Sequence, residues 1–390
     1  MVAADRGGSR RGSGRVKIGI ACYPTYGGSG AVATELGLGL AARGHEIHFL
    51  SYAPPFRLSG LRERVFFHEV EMADYPLFEH PPYTLALAVA IHQVARDRGL
   101  DLVHVHYAIP HAASAWLAGQ MFEGAGRPRL VTTLHGTDIT LIGRHPSFRS
   151  MTRFSILRSD GLTAVSRYLK RETEENFDVS GASIRVIPNF VDTDRYRRNA
   201  APHDRARLAP GGEKLLIHVS NYRAVKRVED VIDVFARVTE RIPSRMIMVG
   251  DGPDRPLARR RAEELGVTDR VSFLGQHTSV EDLLVLGDLF LLPSKTESFG
   301  LAALEAMACG TPVVASRAGG LPELVADGES GLLYEPGDVE GMAAGALGIL
   351  ASPELWRRMS GCGRRIAETR FSAPTVVGVY EDYYREVLGR

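Results

Sequence analysis

Short apolar runs alternate with longer stretches of helical periodicity along most of this 390-residue chain. In the first half, the apolar runs predict strands at 16–21, 46–51, 102–106, 130–134 and 161–165. A second series predicts strands at 215–219, 245–249, 271–274, 289–292 and 312–315. Helical stretches such as 31–43 separate the runs, which is typical of parallel sheets. We therefore expect an α/β fold with two Rossmann-like, doubly wound domains that face each other across a cleft.

The pattern also predicts the domain boundaries. Helix and strand signals lapse over 188–202, where Asn, Asp and Arg predominate, and we place the interdomain linker there. The predicted domains are 15–196 and 197–371, and we expect a C-terminal helix over 372–390 to pack back on the first domain. Residues 1–14 are rich in Gly, Ser and Arg without an apolar core, which predicts a disordered tail and no signal peptide.

Composition excludes several classes of function. Lys and Arg number 47 and Asp and Glu 46, so the charge balance gives no reason to expect a nucleic-acid partner. Cys22, Cys309 and Cys362 are far apart and form no CxxC pair, which indicates reduced thiols in a cytoplasmic protein. No run of eighteen apolar residues exists, so we expect no membrane span. The sequence leaves a homo-oligomer open.

The stretch 293–315 carries the most informative chemistry, because Glu297 precedes a predicted helix and Glu305 lies on it. Ser298, Phe299 and Gly300 are expected to open this helix, whose free N–H groups and dipole suit a diphosphate. Glu305 should lie roughly 10 Å from the helix start, near enough to accept hydrogen bonds from a nucleotide's ribose. The alternative is a surface helix with solvated glutamates, which its apolar neighbours disfavour.

A glycine-rich loop follows the first predicted strand. Gly28, Ser29 and Gly30 are placed to meet a closely approaching ligand, and with Ala33 they also fit the dinucleotide fingerprint. That fingerprint requires an acid at the end of the second strand, where this chain has Ser51. A tight turn and a nicotinamide-dinucleotide site are the alternatives to a loop that shapes a substrate cleft.

A histidine and a carboxylate follow the fourth predicted strand. His135, Thr137 and Asp138 could polarise sugar hydroxyls or stabilise developing positive charge. His104 and His106 share one face of the preceding strand, but the sequence suggests no third metal ligand.

The loop at 220–227 is basic and follows the first strand of the second domain. Arg223 and Lys226 could neutralise a leaving diphosphate in the way that bound magnesium does elsewhere. Asp192 and Asp194 form an Asp-x-Asp pattern, but they lie in the linker and are more typical of a turn than of a metal site. We therefore predict no metal cofactor.

Together these motifs resemble the retaining, nucleotide-sugar-dependent glycosyltransferases of GT-B fold, of the family 4 type. The resemblance covers nearly the whole chain from Arg15 and includes the loop at 250–253. It implies that the first Glu and the loop after it contact the donor sugar, that the second Glu holds the ribose, and that a basic pair holds the diphosphate. The implied catalytic residues are His135, Lys226, Arg223 and Glu297. The implied donor-binding residues are Gly28, Ser29, Gly30, Gly252, Ser298, Phe299, Gly300, Leu301 and Glu305.

One departure concerns the basic loop. The family's usual Gly-Arg-Leu opening is here Ser220-Asn221-Tyr222, so we expect Arg223 to substitute for the missing arginine. No carboxylate stands out as a nucleophile, and we predict front-face attack with a donor phosphate oxygen taking the acceptor's proton.

Within the family, the stretches 18–30, 44–49, 104–111, 132–140 and 218–228 are similar to members that join N-acetylglucosamine to L-malate in bacillithiol biosynthesis. This resemblance implies UDP-N-acetylglucosamine as donor and L-malate as acceptor. A dianionic acceptor needs cations and hydroxyls, and we predict Tyr107, Thr137 and Arg153 for it. The alternatives are another small acceptor such as an inositol phosphate, a dinucleotide-binding oxidoreductase, or a catalytically silent sugar-nucleotide binding protein.

Overall fold

The structure is a computed structural model that describes residues 14–24, 27–58, 60, 62–72, 80–124, 126–198 and 205–389. The tail predicted over 1–14 lies outside these residues apart from Gly14, and so does the end of the predicted linker from 199 to 202. The boundary between residues 196 and 197 stays a prediction.

The first half of the chain forms a seven-stranded sheet in which every neighbouring pair is parallel. Its strands are β1 (Lys17–Ala21), β2 (Glu46–Ser51), β3 (Val65–Glu69), β4 (Leu102–His106), β5 (Arg129–Leu134), β6 (Gly161–Ala164) and β7 (Ile184–Val186). They lie in the order β3-β2-β1-β4-β5-β6-β7. The helices between them are α1 (Gly28–Ala42), α2 (Tyr83–Arg98), α3 (Ala113–Gln120), α4 (Pro146–Arg158) and α5 (Arg167–Phe177).

The second half repeats this architecture with six parallel strands in the order β10-β9-β8-β11-β12-β13. These are β8 (Lys214–Val219), β9 (Ser244–Val249), β10 (Val271–Gly275), β11 (Leu289–Leu292), β12 (Val313–Ser316) and β13 (Gly331–Tyr334). The helices are α6 (Arg205–Leu208), α7 (Val228–Thr239), α8 (Arg255–Glu264), α9 (Val280–Leu284), α10 (Leu301–Ala308), α11 (Leu321–Leu324), α12 (Val339–Ala351) and α13 (Pro353–Arg370).

The C-terminal helix α14 (Ala373–Leu388) returns to the first sheet. Val376, Tyr380 and Tyr384 are buried in the same apolar cluster as Ile18 and Leu36. The chain thus crosses from the first half to the second before β8, and it crosses back between α13 and α14. Two connections therefore join the two halves.

Both sheets are doubly wound, as the sequence predicts. The strand order reverses between β1 and β4 in one sheet and between β8 and β11 in the other. Ligands of such sheets bind outside the carboxyl ends of the strands at this reversal. The pattern did not predict β3, β7 and β13, which all lie at sheet edges. None of the helices in the described ranges has the length and apolar character that crossing a membrane requires.

Candidate active site

A cavity of about 1830 Å³ is lined by loops that follow the carboxyl ends of β1, β4, β5, β8 and β11. It therefore lies at the strand reversals of both sheets, where α/β domains bind ligands. Its lining includes all the predicted site residues except Gly30, Gly252 and Arg153. Their roles stay predictions, but the structure brings most of them together.

Glu297 lies in the loop between β11 and α10 and is only 9% exposed. Its Oε1 is 2.6 Å from Lys226 Nζ and also accepts a hydrogen bond from the Ser294 hydroxyl at 2.8 Å. The carboxylate and the ammonium neutralise each other in a partly buried site, which lowers the cost of keeping both charged. Lys226 ends a short 3₁₀ turn, Ala224–Lys226, so its side chain points back over the end of β11 toward Glu297.

Arg223 precedes this turn and is exposed in the cavity lining. Of the three residues that depart from the family pattern, Ser220 and Asn221 line the cavity and Tyr222 is fully buried. Gly252 packs directly against this loop. A Cβ on Gly252 would lie 2.0 Å from the carbonyl oxygen of Asn221, so a larger residue would not fit there. Gly252 thus allows two loops to pack closely and does not itself line the cavity, and its donor-binding role stays a prediction.

Helix α10 begins at Leu301, and Ser298, Phe299 and Gly300 precede it within the cavity lining. Gly300 has φ +95°, and a Cβ there would lie 2.5 Å from the Leu321 side chain. The backbone conformation and the packing both require glycine at this position. The free N–H groups of the first turn of α10 consequently border the cavity, as the diphosphate prediction requires.

Glu305 lies on α10 and is 8% exposed. Its Oε1 accepts a hydrogen bond from the Tyr196 hydroxyl at 2.8 Å and one from Arg57 Nη2 at 3.4 Å. Burial raises the pKa of Glu305, whereas the Arg57 charge and the Tyr196 hydrogen bond lower it. Neither partner was predicted from the sequence.

His135 reaches the cavity from the end of β5, and its Nε2 is 2.8 Å from Nδ1 of His106. Burial, together with the neighbouring His111, lowers the pKa of His135 to about 3. His135 is thus neutral at physiological pH and can exchange hydrogen bonds with a sugar hydroxyl but does not supply a positive charge.

Asp138 borders the cavity, but its carboxylate is engaged by the surrounding backbone. Its carboxylate accepts hydrogen bonds from the backbone N–H groups of Ala108 at 2.9 Å, Gly136 at 2.9 Å and His135 at 3.2 Å. Burial raises the pKa of Asp138 to about 6, against these hydrogen bonds. The side chain therefore fixes the loop that presents His135, which is a structural role.

The glycine-rich loop contributes Gly28 and Ser29 to the cavity. Ser29 Oγ accepts a hydrogen bond from the Tyr107 hydroxyl at 2.7 Å, which joins the loops after β1 and β4. Gly30 is buried in the first turn of α1, where its carbonyl accepts a hydrogen bond from Thr34. The donor-binding prediction for Gly30 is therefore not supported by its position.

The acceptor prediction needs one correction. Tyr107 and Thr137 line the cavity, but Arg153 does not. Arg153 Nε donates to the backbone carbonyl of Phe177 at 2.9 Å, because this face of α4 packs toward the end of α5. Arg144, which precedes α4, lines the cavity instead.

The Asp-x-Asp sequence of the linker forms a turn in which Asp192 Oδ1 accepts hydrogen bonds from the N–H groups of Asp194 and Arg195 at 2.9 and 3.2 Å. Within the described ranges, no group of three His, Cys, Asp or Glu side chains could hold a metal ion.

Two family models together match most of the chain. Residues 26–195 match Glycosyltransferase Family 4, and residues 201–365 match Glycosyl transferases group 1. The N-acetyl-alpha-D-glucosaminyl L-malate synthase of Bacillus anthracis is 45% identical over 375 residues, which cover 96% of this chain and 98% of that protein. The chain belongs to the family 4 glycosyltransferases. The resemblance seen in its motifs is confirmed, and the oxidoreductase alternative is set aside.

Two further comparisons place this glycosyltransferase among its relatives. The D-inositol 3-phosphate glycosyltransferase of Mycobacterium bovis is 32% identical over 74% of this chain and 62% of that protein. The structure of sucrose-phosphate synthase from Thermosynechococcus elongatus matches with a TM-score of 0.79 and 22% identity, over 96% of this chain and all of that one. The glycosyltransferase therefore has the predicted GT-B fold.

Proposed function

We propose that this glycosyltransferase moves N-acetylglucosamine from UDP-N-acetylglucosamine to the hydroxyl of L-malate with retention at the anomeric carbon, as in the first step of bacillithiol biosynthesis. The observation that carries the proposal is the shared cavity, with Glu297, Lys226 and Glu305 on one wall and His135 and Tyr107 on the other. The 45% identical L-malate synthase supports the choice of substrates.

In the proposed donor complex, UDP lies against the second domain. Glu305 accepts hydrogen bonds from the ribose hydroxyls, and the first turn of α10 faces the diphosphate. Glu297 contacts the N-acetylglucosamine ring. Lys226 Nζ is 2.6 Å from Glu297 Oε1. In this complex the ammonium group therefore lies next to the sugar and the leaving phosphate.

The proposed chemistry follows from the contacts of Glu297, the carboxylate that this proposal places beside the sugar. Glu297 is engaged by Lys226 and Ser294, and is poorly suited to form a covalent glycosyl intermediate. We propose front-face attack: the bond from the anomeric carbon to the UDP oxygen breaks, the malate oxygen bonds to that carbon on the same face, and the malate proton passes to the leaving phosphate. Lys226 and Arg223 stabilise the negative charge that develops on UDP, so no metal is required.

The acceptor site lies on the first domain in this proposal. Thr137 and Tyr107 supply hydroxyl groups, and Arg144 supplies a planar guanidinium that can bind both oxygens of a carboxylate. Within the described ranges Arg144 forms no ion pair, whereas Arg57 in the same cavity is engaged by Glu35 and Glu305. Arg144 therefore replaces Arg153 as the proposed carboxylate ligand.

Mass spectrometry of reaction products tests the proposal. The enzyme is incubated with UDP-N-acetylglucosamine and either L-malate, D-malate or inositol 3-phosphate in separate vessels, and each acceptor is tested in one reaction without EDTA and one with it. We expect N-acetylglucosaminyl-malate from L-malate in both reactions. A glycosylated inositol phosphate as the main product would replace the acceptor and leave the donor proposal intact, and no transfer to any acceptor would overturn the proposal.

A further inference from the structure

Arg57 approaches the proposed donor site from the opposite domain. It lies in the loop after β2, a strand of the first sheet, whereas Glu305 lies on α10 beside the second sheet. Arg57 Nη2 donates to Glu305 Oε1 at 3.4 Å and to the Tyr196 hydroxyl at 2.6 Å, and that hydroxyl in turn donates to Glu305 Oε1. The three groups form a closed triangle around one carboxylate oxygen.

This triangle is well shielded from solvent. The side chain of Arg57 is 12% exposed and that of Glu305 is 10% exposed. A buried carboxylate without a cation would be costly to keep charged. The other charged or titratable groups near Glu305 come from several elements: Glu35 on α1, Arg195 beside Tyr196, Glu281 on α9, Cys309 after α10 and Arg364 on α13.

Among these groups, Arg57 is the cation that contacts Glu305 directly. Burial and Glu281 raise the pKa of Glu305, while Arg57 and the Tyr196 hydroxyl lower it. Arg195 is paired with Glu281 at 2.7 Å. The hydrogen bonds that the described residues make to this carboxylate all go to Oε1, so Oε2 is available to a ligand hydroxyl.

We propose that Arg57 is a positioning residue of the donor site, which holds Glu305 charged and correctly oriented for the ribose hydroxyls. This inference rests on the proposed function, because it assigns the ribose to Glu305. Since Arg57 belongs to the first domain, the ribose site is complete only when the two domains are closed on each other. Arg57 is thus a link between domain closure and affinity for the nucleotide.

Calorimetric titration with UDP over a range of pH tests this role. We expect Arg57→Met to weaken UDP binding about tenfold at neutral pH, as for a lost hydrogen bond to a charged group. Binding requires the carboxylate form of Glu305, so affinity falls as the pH decreases through its pKa. Loss of Arg57 raises that pKa, and the fall should therefore begin at higher pH. Arg57→Lys should restore much of the affinity and of the pH profile.

Two controls separate positioning from a general structural effect. Arg129→Met removes an exposed arginine that pairs with Asp160 in the same domain, and it should leave UDP binding unchanged. With 2′,3′-dideoxy-UDP, which lacks the ribose diol, Arg57→Met and the unchanged protein should bind equally. Equal or tighter UDP binding by Arg57→Met, or an equal loss with both ligands, would overturn the inference. A failure of malate as acceptor would leave these titrations unaffected, so the two proposals can fail separately.

Discussion

Glu297 and Glu305 belong to one short stretch of chain, yet different parts of the protein surround their carboxylates. Glu297 is held by Lys226 and Ser294, which both belong to the second half of the chain. Glu305 is held by Tyr196, which ends the first half, and by Arg57 from the loop after β2. The contacts of Glu297, proposed to bind the sugar, are therefore local, whereas those of Glu305, proposed to bind the ribose, depend on the opposite domain.

This difference suggests that the two carboxylates act in different steps, one in the chemical step and the other in nucleotide binding. The pair formed by Glu297 and Lys226 can be ready before any substrate binds, as electrostatic catalysis requires. The contact between Arg57 and Glu305 forms only when the two domains are closed, so on this proposal nucleotide binding at Glu305 depends on closure. Substitutions near Glu297 should accordingly affect the chemical step, and substitutions near Glu305 should affect nucleotide binding.

The largest effect is expected for Lys226→Met. In the proposed mechanism Lys226 stabilises charge that develops on the diphosphate as the glycosidic bond breaks, so its loss should lower kcat about a hundredfold to a thousandfold with a smaller change in UDP affinity. Steady-state kinetics and UDP titration check this division. Lys170→Met, on the surface of α5, is the matched control. A loss confined to KM with unchanged kcat would contradict the role assigned to Lys226.

Glu305→Ala should weaken UDP binding roughly tenfold to a hundredfold, because it removes charge-assisted hydrogen bonds to the ribose. Glu297→Ala should leave UDP binding nearly unchanged and reduce kcat instead. Calorimetry on both variants sharpens the comparison between the two carboxylates. The division fails if the two substitutions weaken UDP binding equally.

Arg144→Met should raise the KM for L-malate about tenfold and leave UDP binding unchanged, since a charged hydrogen bond to a carboxylate is lost. Arg153→Met is the internal control, because Arg153 bonds to the Phe177 carbonyl outside the cavity. The reverse result, with malate kinetics sensitive to Arg153 alone, would restore the original sequence-based prediction.

The smallest effect is expected for a chelator. In the proposed mechanism the positive potential beside the leaving UDP comes from Lys226, Arg223 and the start of α10, so EDTA should not change the rate. Activity that is lost in EDTA and regained with magnesium would show that these groups do not suffice to stabilise the leaving UDP. Asp192 and Asp194 would then be the candidates for a metal site.

Most of the fold could be predicted from the sequence. Strands such as β2 and β4 are almost wholly buried and consist mainly of apolar residues with buried histidines between them, and their bounds agree with the pattern. The edge strands β3, β7 and β13 were missed, since they are only three to five residues long and partly exposed.

The sequence predicted which residues line the cavity where those residues belong to local motifs. Glu297, Lys226, His135 and the glycine-rich loop follow strand ends that the pattern reveals. Arg57 was not predicted, because its partner Glu305 is 248 positions away and only the packing of two domains brings them together. The position of Arg57 in a loop with two prolines, directly after the second strand, was a sequence feature that could have indicated a cavity residue. Gly30 and Gly252 lie outside the cavity lining. The sequence could not show this for Gly252, because a glycine that packing requires has the same sequence signature as one that a ligand requires.

The configuration of the reaction product tests the central claim most directly. Proton NMR of a reaction with UDP-N-acetylglucosamine and L-malate reports the anomeric configuration at the new linkage as it forms. We expect a single α-linked N-acetylglucosaminyl-malate, since the donor is α-linked and the attack occurs on the face that UDP leaves. A β-linked product, or release of free N-acetylglucosamine without transfer to malate, would contradict the account.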